Sequence, residues 1–358
     1  MDSFDLLVHL LGGGSVHKEW SPTWGRIVRL ADKHKLILPL AEALAGQTSA
    51  PQALRDELSN SATQKSLLEI HRSGHLLALI EQFQKAGIEV KTFKGPALAE
   101  LAHGRVSARE CIDLDLLVKP RDFQRALQLL FDSGFEYEME DLPRCYSRFN
   151  YGVPLKKDRN RLTVDLHYKL FSEGVEFPME AVWAEEHEVQ IQGRSVATFS
   201  PELCFVYLAL HGSKHCWRQL RWLHDLHALL PSVREDKLRN FAIEQRCEKS
   251  VALAFSLLQA LWGSRTPPSF KLDESSLTRE SLAYLRGETP TWPQYHRYQY
   301  RCQNSLRQRA RLFLHTWFGP QIHDLKWVDL PPELWFVYYA LRPLRVLGEA
   351  ISAKVRTI

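Results

Sequence analysis

The chain has 358 residues, 45% of them hydrophobic and 25% charged, with a formal net charge of +4. That length suffices for two packed units, the ordinary composition argues against disorder, and so small a charge singles out no nucleic-acid partner. Six cysteines, at 111, 145, 204, 216, 247 and 302, form no CxxC pair, which suits reduced thiols in a cytoplasm better than a disulfide framework or a zinc site.

The opening MDSFDLLVHLLGGGS carries acids where a leader would be basic, so no secretory signal is expected. Residues 1–86 read as a helical N-terminal segment. Within it Leu67, Leu68, Ile70, Leu76, Leu77, Leu79, Ile80 and Phe83 recur near helical spacing, and Gly87 follows as a stop. From 87 to 200 the period changes. IEVKTF (88–93) reads as a strand, PALAELAH (96–103) as a short helix, IDLDLLV (112–118) as a strand and RDFQRALQLLFDSG (121–134) as an amphipathic helix. FEYEME (135–140) opens another extended segment, and RLTVDLHYKL (161–170) alternates like a strand. The fold class expected from this alternation is α+β, a mixed β-sheet core with helices packed on it. Beyond Ser200, segments 201–216, 218–230, 234–246 and 249–262 carry helical apolar spacing and begin a helical C-terminal lobe, 201–358. Its end, 301–358, is basic and aromatic, which reads as a solvated face over packed helices. The run LWFVYYAL (334–341) is cut by Arg342, Pro343 and Arg345, so no membrane span is expected.

Residues two apart in a strand share a face. Asp113 and Asp115 therefore project together from IDLDLLV while Leu114 turns away, and Asp165 and His167 repeat the geometry in VDLH. If the two strands are neighbours, three carboxylates converge, and like charges in an apolar setting need a counter-charge. A divalent cation is the simplest one; an oxygen-only set suits Mg²⁺ or Mn²⁺ completed by substrate phosphates. The plainer alternative sets these aspartates at strand ends, bonded to loop amides. Upstream, FKGPALA (93–99) puts Gly95 between a strand and a helix, where backbone N–H groups can hold an anion beside the Lys94 ammonium.

FKGPALAEL, then Arg109 ahead of IDLDLLV, then VDLH, resembles the DNA polymerase β-type nucleotidyltransferase superfamily. It is most similar to an uncharacterised bacterial branch with the pattern LKGxALA…R…DIDLLV…DxH. The likeness covers about 88–170, and HGSKHCWRQLRWLHDL (211–226) resembles a helical motif of the same branch. It implies a two-metal transfer of a nucleoside monophosphate from an NTP, with ATP the expected donor, to a hydroxyl acceptor, pyrophosphate leaving. Asp113 and Asp115 match the metal-binding pair. Asp165 matches the third carboxylate, which shares the second metal and activates the acceptor hydroxyl. Gly95 matches the phosphate-turn glycine. The superfamily usually carries Gly-Gly or Gly-Ser there, whereas Lys94 precedes Gly95 and Pro96 follows. Proline donates no N–H, so the phosphate grip falls to Lys94 or to the amides of Ala97 and Leu98.

The expected nucleotide-binding set is completed by Arg109, His167, His211, Lys214 and His215. Arg109 either holds a phosphate or caps a carboxylate; His167 orients Asp165, meets the nucleotide or is a satisfied structural histidine. His211, Lys214 and His215 fall on one side of a helix at i, i+3 and i+4, with Lys214 reaching a phosphate across a cleft. Trp217 and Trp222 read as core, and Asp225 as the partner of a cation or as a catalytic acid. Two other classes compete. His224 and Asp225 form an HD dipeptide, and a metal-dependent phosphohydrolase would add His211 or His215 and an acid such as Asp236, leaving DLD and VDLH unexplained. HGSKH has the histidine spacing of a zinc-protease helix, with Gly212 where the glutamate belongs. The remaining class is a nucleotide-binding module or toxin that modifies a protein partner.

Overall fold

The structure, a computed structural model, describes residues 1–17, 23–139, 146–158, 162–172, 175, 177–270 and 275–355. Cys145 and the ends of two expected strands, Glu140 and Arg161, lie outside the described residues.

The chain opens with α1 (Ser3–Leu11), α2 (Trp24–Lys33) and α3 (Ile37–Ala45). The 34-residue α4 (Gln52–Lys85) follows and closes before Gly87, where the Ile88 N–H bonds back to the Phe83 carbonyl at 2.9 Å. Its helical spacing is as expected, but its burial is not uniform. Leu76, Leu79, Ile80 and Phe83 are buried on the sheet, whereas Leu67, Leu68 and Ile70 are exposed. The sheet underlies only the second half of the helix; the first half meets α3 and buries Leu58 with the helical core.

The α/β region runs β1 (Val90–Thr92), α5 (Gly95–His103), β2 (Leu114–Val118), α6 (Phe123–Asp132), β3 (Glu136–Tyr137), α7 (Tyr146–Phe149), β4 (Gly152–Lys157) and β5 (Leu162–His167). After these come α8 (Met179–Ala184) and a hairpin of β6 (Glu188–Ile191) and β7 (Arg194–Ala197). Five strands form one sheet in the order β1-β2-β5-β4-β3. Only the β2–β5 pair is parallel, so the sheet is mixed and the fold α+β. Strand β4 was not singled out by periodicity, because GVPLKK places a proline inside a short run with no clean alternation.

The rest is helical: α9 (Pro201–Lys214), α10 (Leu220–Leu229), α11 (Glu235–Glu244), α12 (Glu248–Trp262), α13 (Ser275–Leu285), α14 (Trp292–Arg301), α15 (Leu306–Phe318), α16 (Ile322–Trp327) and α17 (Tyr338–Val355). Ser200 starts α9 by accepting the Leu203 N–H at 3.4 Å, with Pro201 in the first turn. No described helix is long and apolar enough to cross a membrane.

Two apolar cores result. One lies between the sheet, the second half of α4 and α6; the other joins α1–α3 to α9–α14. The Trp262 indole N–H, donating to the Val8 carbonyl at 2.9 Å, ties α12 to α1. Strand β2 lies between the cores. Leu114, Leu116 and Val118 pack in the sheet core, while Leu117 packs in the helical one. Asp115 shares the face of Leu117, so it points at the boundary where sheet and helices meet.

Candidate active site

The parallel register sets Asp115 opposite Asp165 and Leu117 opposite His167. Asp115 is wholly buried, and His167 is 4% exposed. Asp113 stands one residue before β2 and is half-buried, as is Asp165. At the end of β1 the chain turns through Lys94 and Gly95 into α5. Gly95 has φ +53°, and a Cβ there would lie 3.4 Å from the Asp113 carbonyl oxygen. The turn needs glycine both for its left-handed backbone and for this close approach. On the far side, a Cβ on Gly152 of β4 would sit 2.7 Å from His167 Nδ1. Glycine there lets the imidazole lie flat against the strand, with Tyr151 stacked on it at 5.6 Å.

The charges divide unevenly. Lys94 Nζ donates to Asp115 Oδ1 at 3.0 Å, and His167 Nε2 lies 3.3 Å from the same oxygen. Burial alone would raise the Asp115 pKa, but Lys94 and His167 outweigh it and hold the carboxyl at about 2. For Asp113 and Asp165 the neighbouring cations do not outweigh burial. Burial first, then repulsion from Asp115, raises Asp113, and burial raises Asp165 to about 6 despite attraction from His167.

This arrangement fits a divalent cation. Asp115 Oδ2 and His167 Nδ1 are buried without a hydrogen-bond partner among the described residues. Asp115, Asp165 and His167 each offer a ligand atom, all within 4.8 Å of one another; Asp113, expected to complete the carboxylate set, is not in that group but lines the adjoining cavity. A buried orphan oxygen facing further carboxylates costs free energy unless a cation joins it. Lys94 neutralises only one side of Asp115.

Asp113 and Asp165 open into a cavity of about 210 Å³, lined on the sheet side also by Lys94, Gly95 and His167; Asp115, wholly buried, is not part of that lining. The helical wall comes from α9 and α10, with Tyr207, His211, Lys214, Arg221 and Trp222. Lys214 reaches across toward the sheet, its Nζ 3.5 Å from the Tyr151 hydroxyl and over the Tyr151 ring. Burial pushes His211 well below its usual pKa, so it is neutral. His215, at the C-terminus of α9, contacts His211 and Trp222 and is not among the cavity-lining residues. Trp217 is core, whereas Trp222 lines the cavity.

Arg109 lines the cavity but is already engaged: its Nε donates to both Asp225 oxygens, at 3.1 and 2.9 Å. His103 Nε2 lies 3.0 Å from Asp225 Oδ1. Burial opposes ionisation of Asp225, yet Arg109 and His103 hold its pKa at about 2. His103, His224 and Asp225 approach within metal-ligand distance, but the aspartate oxygens are already satisfied, and neither His211, His215 nor Asp236 joins the group. This tie fastens α10 to α5. The residue that the sequence reading passed over is Arg221. It is one helical turn before Asp225, lines the cavity, and its Nε is buried without a partner among the described residues. The signal was present, since i and i+4 share a helix face and Asp225 had been noted.

A mixed sheet that brings carboxylates of two parallel strands side by side at the base of a helical lobe has the α+β fold of a nucleotidyltransferase. Residues 21–263 match the family described as uncharacterised nucleotidyltransferase. The chain belongs to that family, as the resemblance in its motifs implied. Two solved structures are similar over part of the chain. The solution structure of the antibiotic-resistance factor ANT(2'')-Ia is 15% identical, covering 51% of this chain and 92% of its own, with a TM-score of 0.34. The crystal structure of an antigenic nucleotidyltransferase-like protein from Paracoccidioides brasiliensis is 16% identical, covering 58% and 96%, with a TM-score of 0.32. No curated protein matches.

Proposed function

We propose that the protein transfers a nucleoside monophosphate from an NTP, with ATP the expected donor, to a hydroxyl acceptor and releases pyrophosphate. The observation that carries this reading is the Asp115–Asp165 register with the unpartnered Asp115 Oδ2. Asp113, Asp115 and Asp165, with His167 beside them, would hold Mg²⁺ or Mn²⁺. When bound, such a cation supplies charge neutralisation for the phosphates and a lowered pKa at the acceptor oxygen. Lys94 keeps Asp115 ionised and oriented. Asp165, the carboxylate register-paired with Asp115, accepts the acceptor hydroxyl proton. Lys214 and Arg221, opposite the carboxylates, bind the triphosphate, with the helix N-terminus at Gly95 as a further anion site. Arg109 acts indirectly, by fixing α10 so that Arg221 faces the acids. A cytoplasmic setting agrees with the free, buried cysteines 111, 204, 216, 247 and 302.

The test incubates purified protein with Mg²⁺, each labelled NTP and cell extract, following pyrophosphate and labelled product together. Asp113→Asn should abolish both while leaving the fold intact, and Asp115→Asn should abolish both while also costing stability by leaving the Lys94 ammonium without its partner. Near-normal pyrophosphate release by either variant sinks the proposal. The HD-type reading reverses the order, with His224→Ala abolishing turnover and Asp113→Asn mild.

A further inference from the structure

A second cavity, of about 160 Å³, adjoins the first and shares Phe171 and Lys214 with it. Its remaining wall comes largely from residues beyond 263, past the family-matched segment, on α14 and α15 and at Gln321. Most of its polar lining is uncharged: Ser213, Ser250, Gln299, Gln303 and Thr316 present hydroxyls and amides. Phe171, Leu210 and Leu312 supply apolar surface. Apart from Lys214 at the shared edge, the described residues of the lining include no Lys, Arg, Asp or Glu; Glu173 and Glu176, in the loop that supplies Ser172 and Val175, lie outside the described residues. Burial also lowers the pKa of His296, which keeps that lining imidazole neutral.

Ser213 Oγ and His296 Nδ1, both on lining residues, have no hydrogen-bond partner among the described residues. Ser213 is 3% exposed. It precedes Lys214 in the helix that walls both cavities. Lys214 is held in place from the second cavity, because its carbonyl accepts from the Tyr295 hydroxyl at 3.1 Å and from the Gln299 amide at 2.7 Å.

We propose that this second cavity is the acceptor site, and that the acceptor is a neutral polyhydroxylated molecule such as a sugar or polyol. The assignment rests on the nucleotidyl-transfer reading above and adds the acceptor's chemical class. A cationic acceptor would find no carboxylate among the described lining residues and would meet Lys214. An acceptor bearing phosphate or carboxylate would find only Lys214, which the triphosphate already claims. Hydroxyls suit the mixture of amide, hydroxyl and ring surface. In the transfer, an acceptor hydroxyl oxygen bonds to the α-phosphorus, the bond from that phosphorus to the bridging oxygen breaks, pyrophosphate leaves with the electron pair, and the hydroxyl proton passes to Asp165.

The test uses the full chain with Mg²⁺, α-labelled ATP and a probe set of glucose, galactose, myo-inositol and sorbitol. Glucose 6-phosphate, glucuronate and glucosamine serve as charged counterparts. Binding of the neutral probes is read separately by ligand-observed NMR on the protein without nucleotide. Gln303→Phe, which fills the cavity from its rim, is compared with wild type, and Gln303→Leu replaces it if the larger side chain does not fold. Expected are binding of a neutral probe, its labelling by wild type, and a loss of roughly tenfold to a hundredfold in kcat/KM for that probe in the variant. Affinity for a non-hydrolysable ATP analogue should stay within about twofold of wild type. Labelling of a charged probe in preference to every neutral one, turnover with no neutral probe accepted, or a variant as active as wild type would each overturn the assignment. Absence of nucleotide binding and pyrophosphate release in wild type removes instead the reading on which it rests.

Discussion

Asp165 and Asp115 sit side by side with opposite electrostatic fates, and pH separates them. The Asp165 pKa is raised to about 6, so the folded protein binds a proton there that the unfolded chain releases near pH 4. Its ionisation lowers the stability of the metal-free protein as pH rises from about 4 to about 6, and metal affinity rises over the same window. Asp165→Asn should therefore raise the metal-free melting point at pH 7, worth on the order of 1–3 kcal/mol, and flatten that slope. Calorimetry across pH 4 to 7 checks it; an unchanged slope would mean that Asp165 is not strained. Asp115 is depressed to about 2, so its stabilisation is present above about pH 4 and is lost as pH falls toward 2. Lys94→Ala should cost roughly 3–5 kcal/mol by leaving that charge buried and unpaired. Arg221→Ala should leave stability nearly unchanged but weaken binding of a non-hydrolysable NTP roughly tenfold to a hundredfold, as titration calorimetry would report; equal affinity would remove Arg221 from the phosphate site. Asp113 and Asp115 were legible because charged residues two apart in an apolar strand have few explanations. The engagement of Lys94 by Asp115 was not, because it depends on where the turn before α5 places the ammonium relative to β2.

The elements carry the site through ties between segments far apart in the chain. Asp225 of α10 binds Arg109 and His103, and so fixes the helical wall against the sheet. Asp225→Ala should destabilise the fold by about 3–5 kcal/mol and lower turnover by displacing Arg221, while Asp113→Asn spares stability. A chemical melt of each variant separates the two. If Asp225→Ala melts like wild type, the tie is not structural. Helix and strand identities from 88 to 134 were legible because the apolar period switches cleanly there. Strand β4 was hidden by Pro154, and the exposure of Leu67, Leu68 and Ile70 was hidden because spacing reports that a residue can face a core but not how far the core extends.

Across the molecule, the N-terminal helices share one apolar core with the helices after 201, while the sheet has its own. Leu7, wholly buried among residues from both ends of the chain, tests this. Leu7→Ala should cost about 2–5 kcal/mol and loosen the α9–α10 wall, raising hydrogen exchange there and leaving β2 and β5 protected; exchange confined to α1 would show the helices to be independent. The parallel pair at the centre has a kinetic consequence. Asp115 and Asp165 are 50 positions apart, and closing a loop of that length costs on the order of 3 kcal/mol before any contact rewards it. The partners then meet carboxylate to carboxylate. Refolding must climb both costs to align these strands, so the site should be among the last parts to assemble. Adding Mg²⁺, or replacing Asp165 by Asn, should speed the folding limb if the strands pair in the transition state, and only slow unfolding if they pair after it. The chemistry that holds a cation in the finished protein is thus also a brake on making it, and stopped-flow refolding with and without Mg²⁺ measures how hard that brake is applied.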